Sequence, residues 1–336
     1  MMKKSLKHTA AIMLLVGFIV LALGCAGSSP KDKGNDVVFW DTSLLSNVTR
    51  ITEDGLSKDW ARISPDGTKL IYCESSKTVS KSDVFYQNWS IVLLRNPTVS
   101  AKTILVNDFA YAPAWSDNNT NYFYITDEDN NTRLIRSSVT GSGKTYVTRT
   151  PIGTYDNRPS VKGGVIVCDT WMGGKRQLVS LRENGTEITF LGDGEQPSWH
   201  PTEPKFIFIR NVSNSNALKA IYEMDLASAQ VTEIYKDPNN WNCRNPSYSA
   251  DGRYILFQKG AEVKTTGSTK DNKEVVKIED KGKWQIFIMN ADGSSLTPIT
   301  SGNVDAYSPS MDANGWVYFV ANTGKTEIYR ARVNLE

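Results

Sequence analysis

The chain has 336 residues, with 38 lysines and arginines against 36 aspartates and glutamates and a formal net charge of +2. That length supports a large core, and the charge balance excludes a nucleic-acid footprint. Only two histidines, His8 and His200, are present, which excludes a multi-histidine metal centre.

Lys3, Lys4 and Lys7 precede an apolar run from Ala10 to Leu23, followed by Gly24 and Cys25. A basic start, a short apolar stretch and a small residue at the cut site describe a secretory signal over residues 1–24, not a spanning helix. The ending Leu21–Ala22–Leu23–Gly24–Cys25 resembles a bacterial lipobox, although Leu23 stands where a small residue is preferred. The resemblance implies that Cys25 is the lipid-attachment residue and the mature N-terminus. Each buried acyl CH₂ would then contribute about 0.8 kcal/mol to membrane attachment. Removing the three lysines takes the net charge from +2 to −1, so no polybasic membrane patch remains. Ala26 in place of aspartate resembles outer-membrane sorting. The expected location is therefore the bacterial cell envelope, lipid-anchored at the outer membrane and facing the periplasm. Residues 25–36 are small and polar and read as a flexible tether.

The folded body is expected over residues 37–336. Val37–Asp41 and Asn47–Thr52 open it as strand-like segments. Six anchors then recur at intervals of 38 to 63 residues: Ala61–Gly67, Pro113–Ser116, Pro159–Val161, Pro197–Pro201, Pro246–Gly252 and Pro309–Gly315. Several contain Asp-Gly between β-prone runs, a hairpin signal. Each is followed by a second apolar strand: Leu70–Cys73, Tyr122–Ile125, Val165–Cys168, Phe206–Ile209, Tyr254–Phe257 and Val317–Val320. Third and fourth strands are clearest at Trp284–Met289 and Leu296–Thr300. Four strands per unit at this period predict an all-β fold, a six-bladed β-propeller with little helix. After the sixth anchor only two more strands remain. Val48–Thr52 is therefore expected to pair with Ile328–Val333 as the missing outer strand, closing the ring and removing open sheet edges. Residues 260–283 are rich in both charges and read as an inserted hairpin in the fifth blade, either a tolerated insertion or a partner-binding arm. Cys73, Cys168 and Cys243 lack CxxC spacing and read as buried free thiols.

The Pro-x-Trp-Ser-Pro-Asp-Gly core, the third strand Ile221–Tyr222–Glu223–Met224–Asp225 and the Leu-Thr fourth strand resemble the TolB-like (WD40-like) β-propeller repeat. The resemblance covers nearly all of residues 37–336. It is specific for fold and weak for function. TolB carries an α/β domain ahead of its propeller, for which residues 1–36 have no room, so its own partners are not carried over.

In such blades the short turns from the first strand to the second lie on one face of the ring. The long connections lie on the other, and loops on a rigid scaffold usually carry function. The candidate mouth there comprises Trp60, Tyr86, Phe109, Tyr111, Tyr155, Asp156, Arg158, Asp169, Trp171, Glu195, Trp241, Arg244, Asp305 and Tyr307. The opposite face is expected to be inert. Aromatic rings with arginines and carboxylates suit a protein, a peptide or a sugar, while interblade wedging and ion pairing account for the same residues structurally. Two functions stay open. One is a lipid-anchored envelope binding or scaffold module for a protein or cell-wall component. The other is a glycan-binding protein, or a glycan-directed lyase or hydrolase using mouth carboxylates. No residue is assigned a catalytic role and no cofactor is required. Calcium is the metal an oxygen-rich loop such as Asp127–Asn131 would take, but its spacing is not that of an EF-hand. Gly141–Thr145 lacks the first glycine of a phosphate-binding loop, so nucleotide is not expected. His200 occupies a turn-serine position and reads as a turn residue, not a base.

Overall fold

Leu70–Ile71–Tyr72–Cys73 is buried at every position, as is Phe206–Ile209. A strand that reads as a continuous apolar run has both faces covered, which requires sheets stacked on each side. The second strands do not alternate between buried and exposed positions, because each lies between two neighbouring blades. The computed structural model describes residues 40, 43–75, 89–99, 101–107, 109–128, 131–212, 218–260, 262–268, 274–280 and 284–334. No helix occurs among them.

The latch strand β1 is Leu45–Arg50. The first blade is β2 (Ser57–Ile63), β3 (Leu70–Ser75), β4 (Ser90–Leu94) and β5 (Lys102–Val106). The second is β6 (Ala110–Trp115), β7 (Asn121–Glu128), β8 (Asn131–Ser138) and β9 (Thr145–Tyr146). The third is β10 (Asp156–Lys162), β11 (Val165–Met172), β12 (Lys175–Arg182) and β13 (Thr189–Asp193). The fourth is β14 (Glu195–Trp199), β15 (Lys205–Asn211), β16 (Lys219–Asp225) and β17 (Val231–Tyr235). The fifth is β18 (Asn242–Tyr248), β19 (Tyr254–Gly260), β22 (Gln285–Asn290) and β23 (Thr297–Pro298), with β20 (Glu262–Ser268) and β21 (Glu274–Asp280) as a hairpin between its second and third strands. The sixth is β24 (Asp305–Met311), β25 (Trp316–Asn322) and β26 (Thr326–Val333), completed by β1.

The six-bladed all-β propeller is thus as expected, and so is its closure. β1 pairs antiparallel with β26 from Leu45↔Val333 to Arg50↔Tyr329. Ile51 N–H continues the contact by donating to Ile328 O at 2.7 Å. The inserted hairpin runs in register from Glu262↔Asp280 to Ser268↔Glu274. Trp40 makes an isolated bridge to Thr300, beside the fifth blade's outer strand. Cys73, Cys168 and Cys243 are buried free thiols. Cys25 and Tyr86 lie outside the described residues.

The repeat's turn motif has a local hydrogen-bond logic. Ser64 Oγ donates to Asp66 Oδ1 at 2.6 Å and accepts Lys69 N–H, while Asp66 accepts Thr68 N–H. Ser249, Asp251, Arg253 and Tyr254 repeat the pattern. In the fourth blade His200 takes the serine's place, with Nδ1 accepting N–H from Thr202 and Glu203. His200 is therefore a turn cap. Gly252 has φ +76°, and a Cβ there would lie 2.6 Å from the His200 ring, so this turn also packs one blade on the next.

A buried charge cluster sits where the ring closes. Lys58 is sealed from solvent. Its ammonium contacts Asp54, Glu74 at 3.8 Å and Glu327 of β26 at 3.6 Å. Glu327 also accepts from Thr52 Oγ1 and Gly55 N, which ties the first blade to the sixth through side chains as well as the latch. Lys58→Met would leave three acids facing one another, two of them still paired with Lys102. Breaking a buried ion pair in this way costs about 3–5 kcal/mol. A urea titration should show that loss, and a midpoint within error of wild type would refute the role given to Lys58.

Candidate functional site

Every innermost strand breaks its ladder at the same point. Register shifts fall between Asp59 and Arg62, Tyr111 and Ala114, Asn157 and Ser160, Glu195 and Ser198, Arg244 and Ser247, and Tyr307 and Ser310. Within these bulges Trp60, Ala112, Arg158, Gln196, Asn245 and Ser308 adopt left-handed backbone, with φ between 47° and 59°. A non-glycine residue there costs of order 1–3 kcal/mol unless its surroundings impose it. Here they do. The freed N–H groups are taken by side chains, several of them from the preceding blade. Gln196 N donates to Asp169 Oδ2 at 2.9 Å and Asn245 N to Gln196 Oε1 at 2.6 Å. Ser308 N donates to Gln258 Oε1 at 3.2 Å, and Ser308 Oγ donates to Asp59 Oδ1 at 2.6 Å. The result is a polar belt around the axis from the third blade through the fourth, fifth and sixth to the first.

The expected mouth residues divide around this belt. Phe109 (45%), Tyr155 (47%), Trp171 (41%) and Trp241 (39%) are exposed. Trp60 and Tyr111 are core residues: Trp60 meets Trp89 edge-on at 5.7 Å and Tyr111 at 6.1 Å. Tyr307 is a half-buried packing residue of the sixth–first blade cluster. Asp156 is buried and clamps its loop, accepting Ile152 N, Gly153 N and Thr170 Oγ1. Asp305 accepts Trp284 N at 2.9 Å. Arg244 lies 4.8 Å over the Trp284 ring.

Two groups of mouth residues are brought together. In the third blade, the Arg176 guanidinium pairs with Asp169 at 3.1 Å, donates to Tyr155 O at 2.8 Å and lies 5.8 Å over Trp171. Glu195 sits beside them, paired with Lys219. In the fifth blade, the buried Lys259 ammonium lies among Trp241, Tyr235 and Phe287 and pairs with Asp237 at 2.7 Å. Lys219, Lys259, Tyr235 and Asp237 were not foreseen, because no short-range signal ties them to the loops. The belt residues had a signal: in five of the six blades the left-handed residue precedes a proline.

The carboxyls at the third–fourth blade junction are tuned apart. Burial pushes Asp169 up to about 6; Glu195 adds to this, while Arg176 and Arg158 oppose it. Burial also acts to raise Glu195, but Lys219, Arg158 and Arg244 outweigh it and hold the carboxyl below its ordinary value. Burial raises Asp59 despite the Ser308 and Trp60 hydrogen bonds.

A cavity of about 360 Å³ runs along the axis. Trp60 and Arg158 of the bulges line it, and so do the exposed Pro65, Asp117 and Thr202 at the turn face. It therefore occupies the half of the channel beyond the belt, on the face expected to be inert. Sequence offered no sign of it, because it is bounded by proline rings and backbone brought together only by closure. Among the described residues no group of three or more His, Cys, Asp or Glu is placed to hold a metal.

The six-bladed fold is similar to that of solved structures. The putative TolB from Agrobacterium tumefaciens is similar at 21% identity over 66% of this chain and 73% of that one, with TM-score 0.52. The chain's fold is that of a TolB-like β-propeller. TolB from Acinetobacter baumannii is similar at 13% identity, over 81% of this chain and 66% of that one, with TM-score 0.53. The oligogalacturonate lyase from Vibrio parahaemolyticus is similar at 13% identity, over 88% and 96%, with TM-score 0.53. No protein-family model and no curated protein sequence matches.

The Asp169 shift makes a pH prediction. The folded carboxyl holds its proton up to about 6, whereas the ordinary value is 3.8, so between these the folded state binds more protons. The stability this group contributes is full below the lower value and lost as pH rises through the higher. Asp169→Asn should flatten the fall in urea midpoint between about pH 4 and 6. An unchanged slope would place the titration elsewhere.

Proposed function

We propose that this protein is a lipid-anchored propeller of the bacterial cell envelope that binds a protein or cell-wall component on its loop face. The observation that carries this is the set of exposed rings, Phe109, Tyr155, Trp171 and Trp241, on rigid blades above buried charge. Exposed aromatics of this kind are the residues that dominate protein interfaces. The acids beneath them have partners already: Asp169 has Arg176, Glu195 has Lys219, and Asp156 has its own loop. That favours a scaffold over a catalyst. TolB-like neighbours support the fold on which such a module is built, and the lipobox-like ending at Cys25 supports the anchor.

One observation favours the second reading, glycan-directed chemistry. Asp169 and Glu195 are neighbours whose pKa values move in opposite directions, as an acid and a base require. Against it, Asp169 is buried and its two oxygens engage Arg176 and Gln196 N.

Crosslinking in envelope membranes, followed by pull-down, tests the first reading. Trp171→Ala with Trp241→Ala should remove the partners captured by wild type, and unchanged partners would rule out this face. Growth with radioactive fatty acid tests the anchor. Label should enter the protein and be absent from Cys25→Ala; label persisting in that variant would refute attachment at Cys25.

A further inference from the structure

The axial cavity has an uneven charge. Its lining includes three cations, Arg62, Arg158 and Lys162, and one carboxylate, Asp117. Lys162 and Asp117 face each other at 3.8 Å near the turn face, which leaves two guanidiniums at the inner end. Burial and the neighbouring Arg158 charge pull Arg62 down to about 10. Arg62 Nη1 donates to Ala61 O at 3.0 Å. Arg158 Nε is buried without a hydrogen-bond partner.

The acids around Arg158 have other partners. Asp169 pairs with Arg176 and Glu195 with Lys219. Asp59, which faces both guanidiniums, accepts from Ser308 Oγ and Trp60 N, and its burial favours the neutral form. Two guanidiniums in a half-enclosed space that share one buried acid, Asp59, are arranged for an anion that arrives from outside.

We infer that the axial cavity binds the free C-terminal carboxylate of a peptide, entering from the turn face and pairing with Arg158 and Arg62. This site is separate from the loop face proposed above. At about 360 Å³ the cavity lies near the small end of ligand pockets, which span about 300–1,000 Å³, so it admits a chain end and not a folded domain. The rings of Pro113, Pro159, Pro197 and Pro246 and those of Trp115, Trp199 and Tyr248 line the walls. A uronic acid would need several hydroxyl partners, and five of the six lining serines already make hydrogen bonds, Ser310 Oγ among them by accepting Ile63 N. Ser64 Oγ and Ser249 Oγ donate to turn aspartates, Ser160 Oγ accepts Trp199 N, and Ser247 Oγ donates to Pro309 O.

The test uses the full chain and N-acetylated random hexapeptides lacking Asp and Glu, made once as free acids and once as C-terminal amides. Retained peptides are counted by mass spectrometry. Wild type should retain acids over amides by about ten-fold or more, the scale of a charge-assisted pair. The preference should vanish in Arg158→Gln and in Arg62→Gln, with melting curves confirming that each is folded. Arg158→Lys keeps the charge beside Asp59 but loses the planar fork, and should weaken the preference several-fold even if the glutamine variant does not fold. Equal retention of acids and amides, or a preference that survives both glutamine variants, overturns the inference. Displacement by trigalacturonate without any peptide preference would give the cavity to a uronate and also overturns it. Trp171→Ala with Trp241→Ala should leave the acid preference intact, so failure at the loop face and failure in the cavity read separately.

Discussion

The left-handed bulge in each inner strand is the constraint on which the rest of this propeller depends. An inner strand has one edge paired within its blade and one edge facing the axis. Unrelieved, six such edges would leave unpaired N–H groups around a channel. The bulge turns the backbone at Trp60, Ala112, Arg158, Gln196, Asn245 and Ser308. N–H groups released from the ladder then meet side-chain acceptors, and for Gln196, Asn245 and Ser308 the acceptor stands on the preceding blade. Proline follows the bulge in five blades. It has no N–H to satisfy and is tolerated where pairing has already lapsed.

This belt divides the axis into two chemically different halves. On the loop side it supports tuned carboxyls, their cations and four exposed aromatic rings. On the turn side lies the narrow proline-walled cavity with Arg62 and Arg158 at its inner end. Arg158 belongs to both halves. It lines the cavity, and its charge also acts on Asp169 and Glu195.

Ring closure is secured twice, by backbone and by charge. The β1–β26 ladder supplies the outer strand of the last blade, and the Lys58 cluster ties Glu327 of that blade to Asp54 and Glu74 of the first. The ladder was legible because Asn47–Thr52 reads like Ser295–Thr300 and the last blade lacked a strand. The charge cluster was not legible. Lys58 and Glu327 are 269 positions apart, and a lysine before an anchor looks no different from a solvated one.

Sequence by itself determined the blade count, the second strands, the serine–aspartate turns and the latch, because each depends on local period, local hydrogen bonding or a missing copy of a repeat. It also anticipated His200 as a turn residue, which its Nδ1 contacts bear out. Only the tertiary structure decided which aromatics are core and which are surface. Tyr111 and Tyr307 stand at equivalent positions just before the bulges of their inner strands, yet one is fully buried and the other only partly, since the neighbouring blade sets the cover. The structure alone also paired Asp169 with Arg176 and Glu195 with Lys219, and gathered Arg62 and Arg158 at one cavity. Those contacts join residues from different strands or different blades, and distance along the chain carries no record of them until the ring is closed.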